Sequence, residues 1–152
     1  KVAYLGDGAS NMARSWALAA KMAGLELAIA APEAYQPPAD FVNSLAKGTG
    51  TVSVTADAEA AARDADIGYT DVWGSMGFEA EANDRLELLK PYQVNGTLMG
   101  LAKSDSKFMH CLPAYRGKEV TADVIDGPQS IIYDEAENRL HAQKAAMTVL
   151  IK

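Results

Sequence analysis

Short apolar runs that alternate with helix-forming segments constrain the fold of this chain more than any other feature. Six runs have the length and the continuous apolarity of strands that are buried on both faces, at residues 2–5, 25–31, 52–55, 67–70, 108–112 and 131–133. Such strands are typical of parallel sheets, whose neighbouring strands require helical crossovers. The sequence therefore predicts an α/β fold: a doubly wound, Rossmann-like open sheet of five or six mainly parallel strands flanked by helices.

The connecting segments carry the expected helix signals. Residues 11–23 repeat apolar side chains at three- and four-residue spacing, and Gly24 follows them as a typical helix stop. Further helices are predicted at 39–47, after an N-cap at Asp57, at 79–89, at 97–103 and from 135 to the end. The last is predicted to be the longest, with one face formed by Ala136, Leu140, Met147 and Leu150.

Composition limits the class of protein. A chain of 152 residues that is 49% hydrophobic and 22% charged is typical of one globular domain, here residues 1–152. A net charge of −6 disfavours nucleic acid as a partner, and no apolar run reaches the roughly 20 residues of a membrane span. The single cysteine excludes an intrachain disulfide, and two histidines give no zinc-type cluster, so a reducing, cytoplasmic setting is expected.

Three loops follow strands of the predicted sheet and combine glycine with polar side chains. They cover residues 6–11 after the first strand, 71–77 after the fourth and 110–113 at the end of the fifth. In open α/β sheets, ligands bind outside the carboxyl ends of the strands. The sequence therefore predicts that these loops line one rim of the sheet.

The first loop has the pattern Gly-x-Gly-x-x-Asn and allows three interpretations. A glycine loop before a helix can hold a dinucleotide pyrophosphate, although Asn11 replaces the third glycine of that pattern. It can also be a plain turn. The third interpretation is a site for a smaller anionic group such as a carboxylate, with the Asn11 amide as a donor.

Four other residues are open to either a structural or a functional interpretation. Asp71 can cap a turn or hold an ammonium group, and Cys111 can be an inert core thiol or part of a polar site. Glu135 and Arg139 can form a solvated i, i+4 pair. Alternatively, Arg139 can act as a forked donor to a carbonyl or phosphate oxygen.

Four segments taken together resemble the second, ornithine-binding domain of ornithine carbamoyltransferases. They are "GDGASNMARS", "TDVWGSMG", "HCLPAYRG" and "EAENRLHAQKA", in this order, and the resemblance covers the whole chain. The Asp-x-x-x-Ser-Met-Gly loop is the feature that points to ornithine rather than aspartate. The resemblance implies transfer of the carbamoyl group of carbamoyl phosphate to the δ-amine of L-ornithine, giving citrulline and phosphate without an organic cofactor or a required metal.

The resemblance also implies how ornithine binds. Asn11 would hold its α-carboxylate, and Asp71, with Ser75 and Met76, would hold its α-amino group. This orientation directs the δ-amine toward Cys111.

At the reacting end, Cys111 oriented by Asp71 is the implied proton acceptor for the δ-amine. The backbone around Cys111 and Leu112, together with Arg139, would contact the carbamoyl oxygen, where negative charge develops. His110 and Pro113 would support this loop.

The chain departs from the family pattern at Ser10, Phe78 and Tyr115, none of which has an implied substrate contact. These departures leave an amine such as putrescine as an alternative substrate. The chain begins on a strand-like segment without a methionine, and the family's first domain, which binds carbamoyl phosphate, has no counterpart in it. We therefore expect a piece of a longer, homotrimeric protein that is inactive on its own.

Overall fold

A computed structural model describes residues 1–45, 48–74 and 82–151 of the chain. In these ranges, five strands form one sheet in which every pairing is parallel, in the order β3-β2-β1-β4-β5. The strands are β1 (Val2–Leu5), β2 (Glu26–Ala30), β3 (Thr51–Thr55), β4 (Ile67–Thr70) and β5 (Lys107–His110). The predicted doubly wound α/β fold is confirmed.

Seven α-helices connect or flank these strands in the described ranges. They are α1 (Asn11–Ala23), α2 (Ala39–Ser44), α3 (Ala58–Ala62), α4 (Ala82–Leu89), α5 (Gly96–Leu101), α6 (Ala122–Ile125) and α7 (Ile132–Leu150). The limits of α1 match the prediction because both ends carry strong signals: the Ser10 side chain accepts a hydrogen bond from the Ala13 amide, and Gly24 adopts a φ of 73°. No helix in the described ranges is both long enough and apolar enough to cross a membrane.

Apolar cores cover both faces of the sheet. On one face, α1 places Ala13, Ala17 and Ala20 against the strands, and these small side chains allow the helix to approach Tyr4 and Tyr69 closely. On the other face, α3 packs on β1 and β2 and against α5, which in turn contacts α6. The core on this face includes Ala61, Leu98, Met99, Phe108 and Val124. Burial on both faces explains why the strands are continuously apolar.

The predicted strand at residues 131–133 is wrong. Ser130 forms a single bridge with Phe108, and the Ile131 amide donates to the Phe108 carbonyl at 2.9 Å, but α7 begins at Ile132. Ile132 is buried as the first residue of the helix. A three-residue apolar run cannot distinguish a strand from the buried start of a helix.

Other boundaries differ by smaller amounts. The fifth strand ends at His110 rather than at residue 112, α5 is shifted to Gly96–Leu101, and the short α6 was not predicted. Helix α2 ends at Ser44, and the predicted start of α4 at residue 79 lies outside the described residues. Helix α7 is the longest, but its apolar face remains exposed, by 57% at Leu140, 50% at Met147 and 80% at Leu150.

Candidate active site

The candidate site lies where the order of the sheet reverses. Strand β1 pairs with β2 on one side and with β4 on the other, so the connections from β1 and β4 lead in opposite directions. Such a switch point leaves a crevice at the carboxyl ends of the strands. Asn11 follows β1, Asp71 follows β4 and Cys111 follows β5, which places the three predicted residues beyond neighbouring strand ends.

Asp71 and Cys111 are in direct contact. The Cys111 Sγ donates to Asp71 Oδ1 at 3.2 Å, and the Val72 amide donates to the same oxygen at 2.8 Å. Burial raises the pKa of the Cys111 thiol to about 12, and the hydrogen bond to the Asp71 carboxylate and its negative charge add to that shift. The thiol is therefore protonated at neutral pH and is not an activated nucleophile.

His110 braces the backbone on both sides of Cys111. Its amide donates to Glu135 Oε2 at 2.9 Å, and its Nδ1 accepts from the Leu112 amide at 2.9 Å, where Leu112 has a φ of 57°. Because Nδ1 accepts, the neutral ring carries its proton on Nε2. The peptide between Leu112 and Pro113 is cis, so the loop turns sharply after the site.

A fully buried glutamate faces the other side of this imidazole. Glu119 Oε1 lies 3.5 Å from His110 Nε2 and also accepts a hydrogen bond from the Tyr115 amide. Glu119 Oε2 has no hydrogen-bond partner in the part of the chain that the structure describes. Sequence reasoning missed Glu119, because a glutamate that follows a lysine in a short polar segment has the signature of a surface turn.

The first turn of α7 is attached to the same strand ends through Glu135. The Tyr69 hydroxyl donates to Glu135 Oε1 at 3.2 Å, while Oε2 accepts from the His110 amide. Burial raises the pKa of Glu135, although both hydrogen bonds act in the opposite direction. The surface interpretation of Glu135 as the partner of Arg139 is therefore wrong.

Arg139 lies one turn further along α7 than Glu135, on the same side of the helix. It is exposed, and it forms no ion pair within the described ranges. The structure therefore shows no protein group within the described ranges that occupies its charge.

The glycines of the first loop make room for the protein's own side chains. Gly6 has a φ of 122°, and a Cβ at this position would lie 2.8 Å from Trp73 Nε1; a Cβ at Gly8 would lie 2.9 Å from the Ile29 side chain. The Asp7 carboxylate also accepts from the Ala9 amide at 3.0 Å, so an acidic group of the protein already occupies this loop amide. This arrangement does not suit a dinucleotide pyrophosphate.

Asn11 is the first residue of α1, and its side chain is exposed. Ser10, one of the departures from the family pattern, has a structural role: its hydroxyl caps α1 and lies 2.9 Å from the Tyr4 hydroxyl. Ser75, Met76 and Phe78 lie outside the described residues.

Asp71, His110 and Cys111 each bring one potential metal-ligand atom within 4.8 Å of the others. The donor set is nevertheless engaged, because the thiol donates to Asp71 and the His110 Nδ1 lone pair accepts from Leu112. A cation at this position would have to displace both hydrogen bonds. The three residues therefore fit a hydrogen-bonded site better than a metal site.

Comparison with known proteins identifies the domain. The family model for the aspartate/ornithine carbamoyltransferase Asp/Orn binding domain matches residues 1–150. The chain belongs to this family. It is 55% identical to the ornithine carbamoyltransferase of Bifidobacterium longum subsp. infantis, over 98% of this chain and 48% of that protein. The corresponding protein of Corynebacterium diphtheriae is 53% identical over 100% of this chain and 49% of its own length.

Solved structures of the family agree with the fold. The ornithine carbamoyltransferase from Pyrococcus furiosus superposes with a TM-score of 0.89 at 47% identity, covering 96% of this chain and 48% of that chain. The anabolic ornithine carbamoyltransferase from Campylobacter jejuni gives a TM-score of 0.91 at 34% identity, covering 99% and 50%. The chain thus spans about half the length of the curated relatives it matches.

Proposed function

We propose that this domain binds L-ornithine in an ornithine carbamoyltransferase, which transfers the carbamoyl group of carbamoyl phosphate to the δ-amine and releases citrulline and phosphate. The observation that carries the proposal is the hydrogen bond between Cys111 and Asp71 at the ends of β5 and β4, beside the loop that ends in Asn11. Relatives of this chain are ornithine carbamoyltransferases, which supports the same reaction. The dinucleotide alternative is not supported, because family membership and the filled glycine loop both disagree with it.

The α-carboxylate and the α-ammonium group of ornithine would be bound by residues that follow different strands. Asn11, exposed at the start of α1, would donate its amide to the α-carboxylate. Asp71, with Ser75 and Met76, would hold the α-ammonium. This arrangement leaves the δ-amine directed toward Cys111, next to Asp71.

The pair of Cys111 and Asp71 would manage the proton that leaves the amine. The neutral δ-amine attacks the carbamoyl carbon, the carbon–nitrogen bond forms, and the bond to the phosphate oxygen breaks as phosphate leaves. Because the thiol is protonated, it can accept the amine proton only while it passes its own proton to Asp71. The two residues therefore act as one acceptor.

The carbamoyl group would be held by Arg139 and by the backbone of Cys111 and Leu112. The Leu112 amide already donates to His110, so we assign the carbamoyl oxygen to the Arg139 guanidinium and the carbamoyl NH₂ to the backbone carbonyls of the loop. Negative charge that develops on the oxygen is then stabilised by the positive charge of the guanidinium. His110 and Pro113 keep the loop in position, and the scheme requires no organic cofactor or metal.

The remaining parts of the protein would complete the site. We assign the phosphate of carbamoyl phosphate to an N-terminal domain in the other half of the full-length protein, and we expect a cytoplasmic homotrimer. The isolated domain is therefore expected to bind its substrates poorly and to have no measurable turnover. No nucleic acid or membrane enters the proposed function.

The test is citrulline formation by the full-length protein from carbamoyl phosphate and L-ornithine, with the isolated domain as a matched control. We expect turnover only in the full-length protein. Absence of citrulline at saturating substrate, or equal activity of the isolated domain, would overturn the proposal.

A further inference from the structure

The Arg85 side chain joins three loops at the carboxyl edge of the sheet. Its Nε donates to the Trp73 carbonyl after β4, and its Nη2 donates to Asp7 Oδ2 after β1. The guanidinium carbon also lies 4.6 Å from the centroid of the Tyr35 ring, after β2. Arg85 is a residue of α4 whose side chain is 22% exposed, and that of Asp7 is 12% exposed.

The two hydrogen-bonded loops are those that carry the proposed ornithine contacts. Trp73 lies two residues after Asp71, and Asp7 lies four residues before Asn11. Arg85 itself contacts neither Asp71 nor Asn11 among the described hydrogen bonds. Its contacts are therefore with the loops that carry the two residues and not with the residues themselves.

The other contacts between these loops lie close to the strand ends, where the buried Trp73 side chain packs against Gly6. The ladder between β1 and β4 pairs Tyr4 with Tyr69, and beyond it the Thr70 hydroxyl donates to the Leu5 carbonyl at 2.6 Å. Past that point, the two loops are joined by the pair of hydrogen bonds from Arg85 to the Trp73 carbonyl and to Asp7, here called the Arg85 fork. Its bond to Asp7 is an ion pair between the loops in the described residues. A guanidinium suits this position because its donors are fixed in one plane, so two simultaneous bonds define both a distance and an angle.

We propose that Arg85 is a positioning residue that sets the separation of Asn11 and Asp71, and thereby the affinity of the site for its amino-acid substrate. The proposal rests on the proposed function, since it takes Asn11 and Asp71 as the groups that read the two ends of ornithine. It assigns Arg85 no contact with the carbamoyl group. Loss of the fork should therefore affect the two substrates differently.

Steady-state kinetics of the full-length protein provide the test. In Arg85→Ala we expect the KM for L-ornithine to rise about tenfold or more, with the KM for carbamoyl phosphate within about twofold of wild type. Arg85→Lys should be intermediate, because one ammonium group keeps the charge but cannot reproduce the planar fork. Arg63→Ala, an exposed arginine at the end of α3, is the control and should change neither constant.

A double-mutant cycle with Asp7 separates positioning from general stability. If the fork acts as one unit, Arg85→Ala combined with Asp7→Ala should raise the KM for ornithine no more than the more severe single change does. Additive effects, equal increases for both substrates, or a lowered melting temperature with an unchanged KM for ornithine would overturn the proposal.

The wild-type enzyme decides the proposed function separately. If it carbamoylates a different amino acid, the ornithine assignment fails. The same KM comparison is then made with that amino acid, because the Arg85 fork is proposed to act on the spacing of the loops. A wild-type protein without transferase activity would remove the basis of both proposals.

Discussion

The ends of β5 and β1 are built in different ways. At the end of β5, His110, Cys111 and the backbone of Leu112 are fixed by hydrogen bonds that involve Glu135 and Asp71. At the end of β1, the Asn11 side chain is exposed at the start of a helix. In the proposed function, the groups assigned to the proton transfer are thus positioned before substrate arrives, whereas the group assigned to the α-carboxylate is exposed. Changes at the two ends should then have different kinetic effects.

The largest effect is expected at the reacting end. Asp71→Ala removes both the acceptor of the Cys111 thiol and the proposed partner of the α-ammonium, so kcat/KM for ornithine should fall by about a thousandfold or more. The circular dichroism spectrum should be unchanged, and Asp105→Ala, an exposed aspartate before β5, serves as the control. A value within about threefold of wild type, worth about 0.65 kcal/mol, would refute the role of Asp71.

A smaller and more selective effect is expected at the open end. Asn11→Ala should raise the KM for L-ornithine about tenfold, because the α-carboxylate loses a neutral donor. The kcat/KM for putrescine, which has no α-carboxylate, should stay the same. Asn43→Ala, on the exposed side of α2, is the matched control. Equal losses for both amines would show that Asn11 does not distinguish the ends of the site.

The state of the thiol gives a third way to examine the reacting end. Since the pKa of Cys111 is raised to about 12, its alkylation by iodoacetamide should accelerate with pH without reaching a plateau below about pH 11. Asp71→Asn removes the negative charge, so the Cys111 pKa should fall and alkylation at pH 8 should become several times faster. Peptide mapping by mass spectrometry measures the fraction of Cys111 that is alkylated. A plateau near pH 8 to 9 in the wild type would contradict the account.

The smallest effect concerns the attachment of α7. Burial raises the folded-state pKa of Glu135, so its contribution to stability is present below its unfolded pKa and is lost as the pH rises through the folded value. The melting temperature of the wild type relative to Glu135→Gln should therefore decrease from about pH 4 to pH 7. A difference that increases with pH would indicate that the two hydrogen bonds outweigh burial.

Much of the fold could be predicted because the strands are buried on both faces and α1 carries a cap at each end. The limits of β1, β4 and α1 matched for this reason. The run at residues 131–133 failed because a buried helix start and a short strand have the same apolar pattern. Local pattern cannot distinguish them without the tertiary contact to Phe108.

The candidate site was predictable only in part. Asp71 and Cys111 could be placed at strand ends, and the structure shows their contact. Glu119 contacts His110 from a short polar segment nearby in the sequence, Glu135 reaches the His110 amide across 25 residues, and Arg85 reaches Asp7 of the first loop across 78 residues. The local sequence of all three is that of ordinary surface residues. Only the folded topology reveals that these charged side chains point inward.

The most direct test of the central claim is the ratio of kcat/KM for L-ornithine to that for putrescine in the full-length protein. If Asn11 binds the α-carboxylate while Asp71 holds the neighbouring amino group, the ratio should exceed about 100, since putrescine lacks the carboxylate and leaves the Asn11 amide without a partner. A ratio near 1, or a preference for putrescine, would contradict the account.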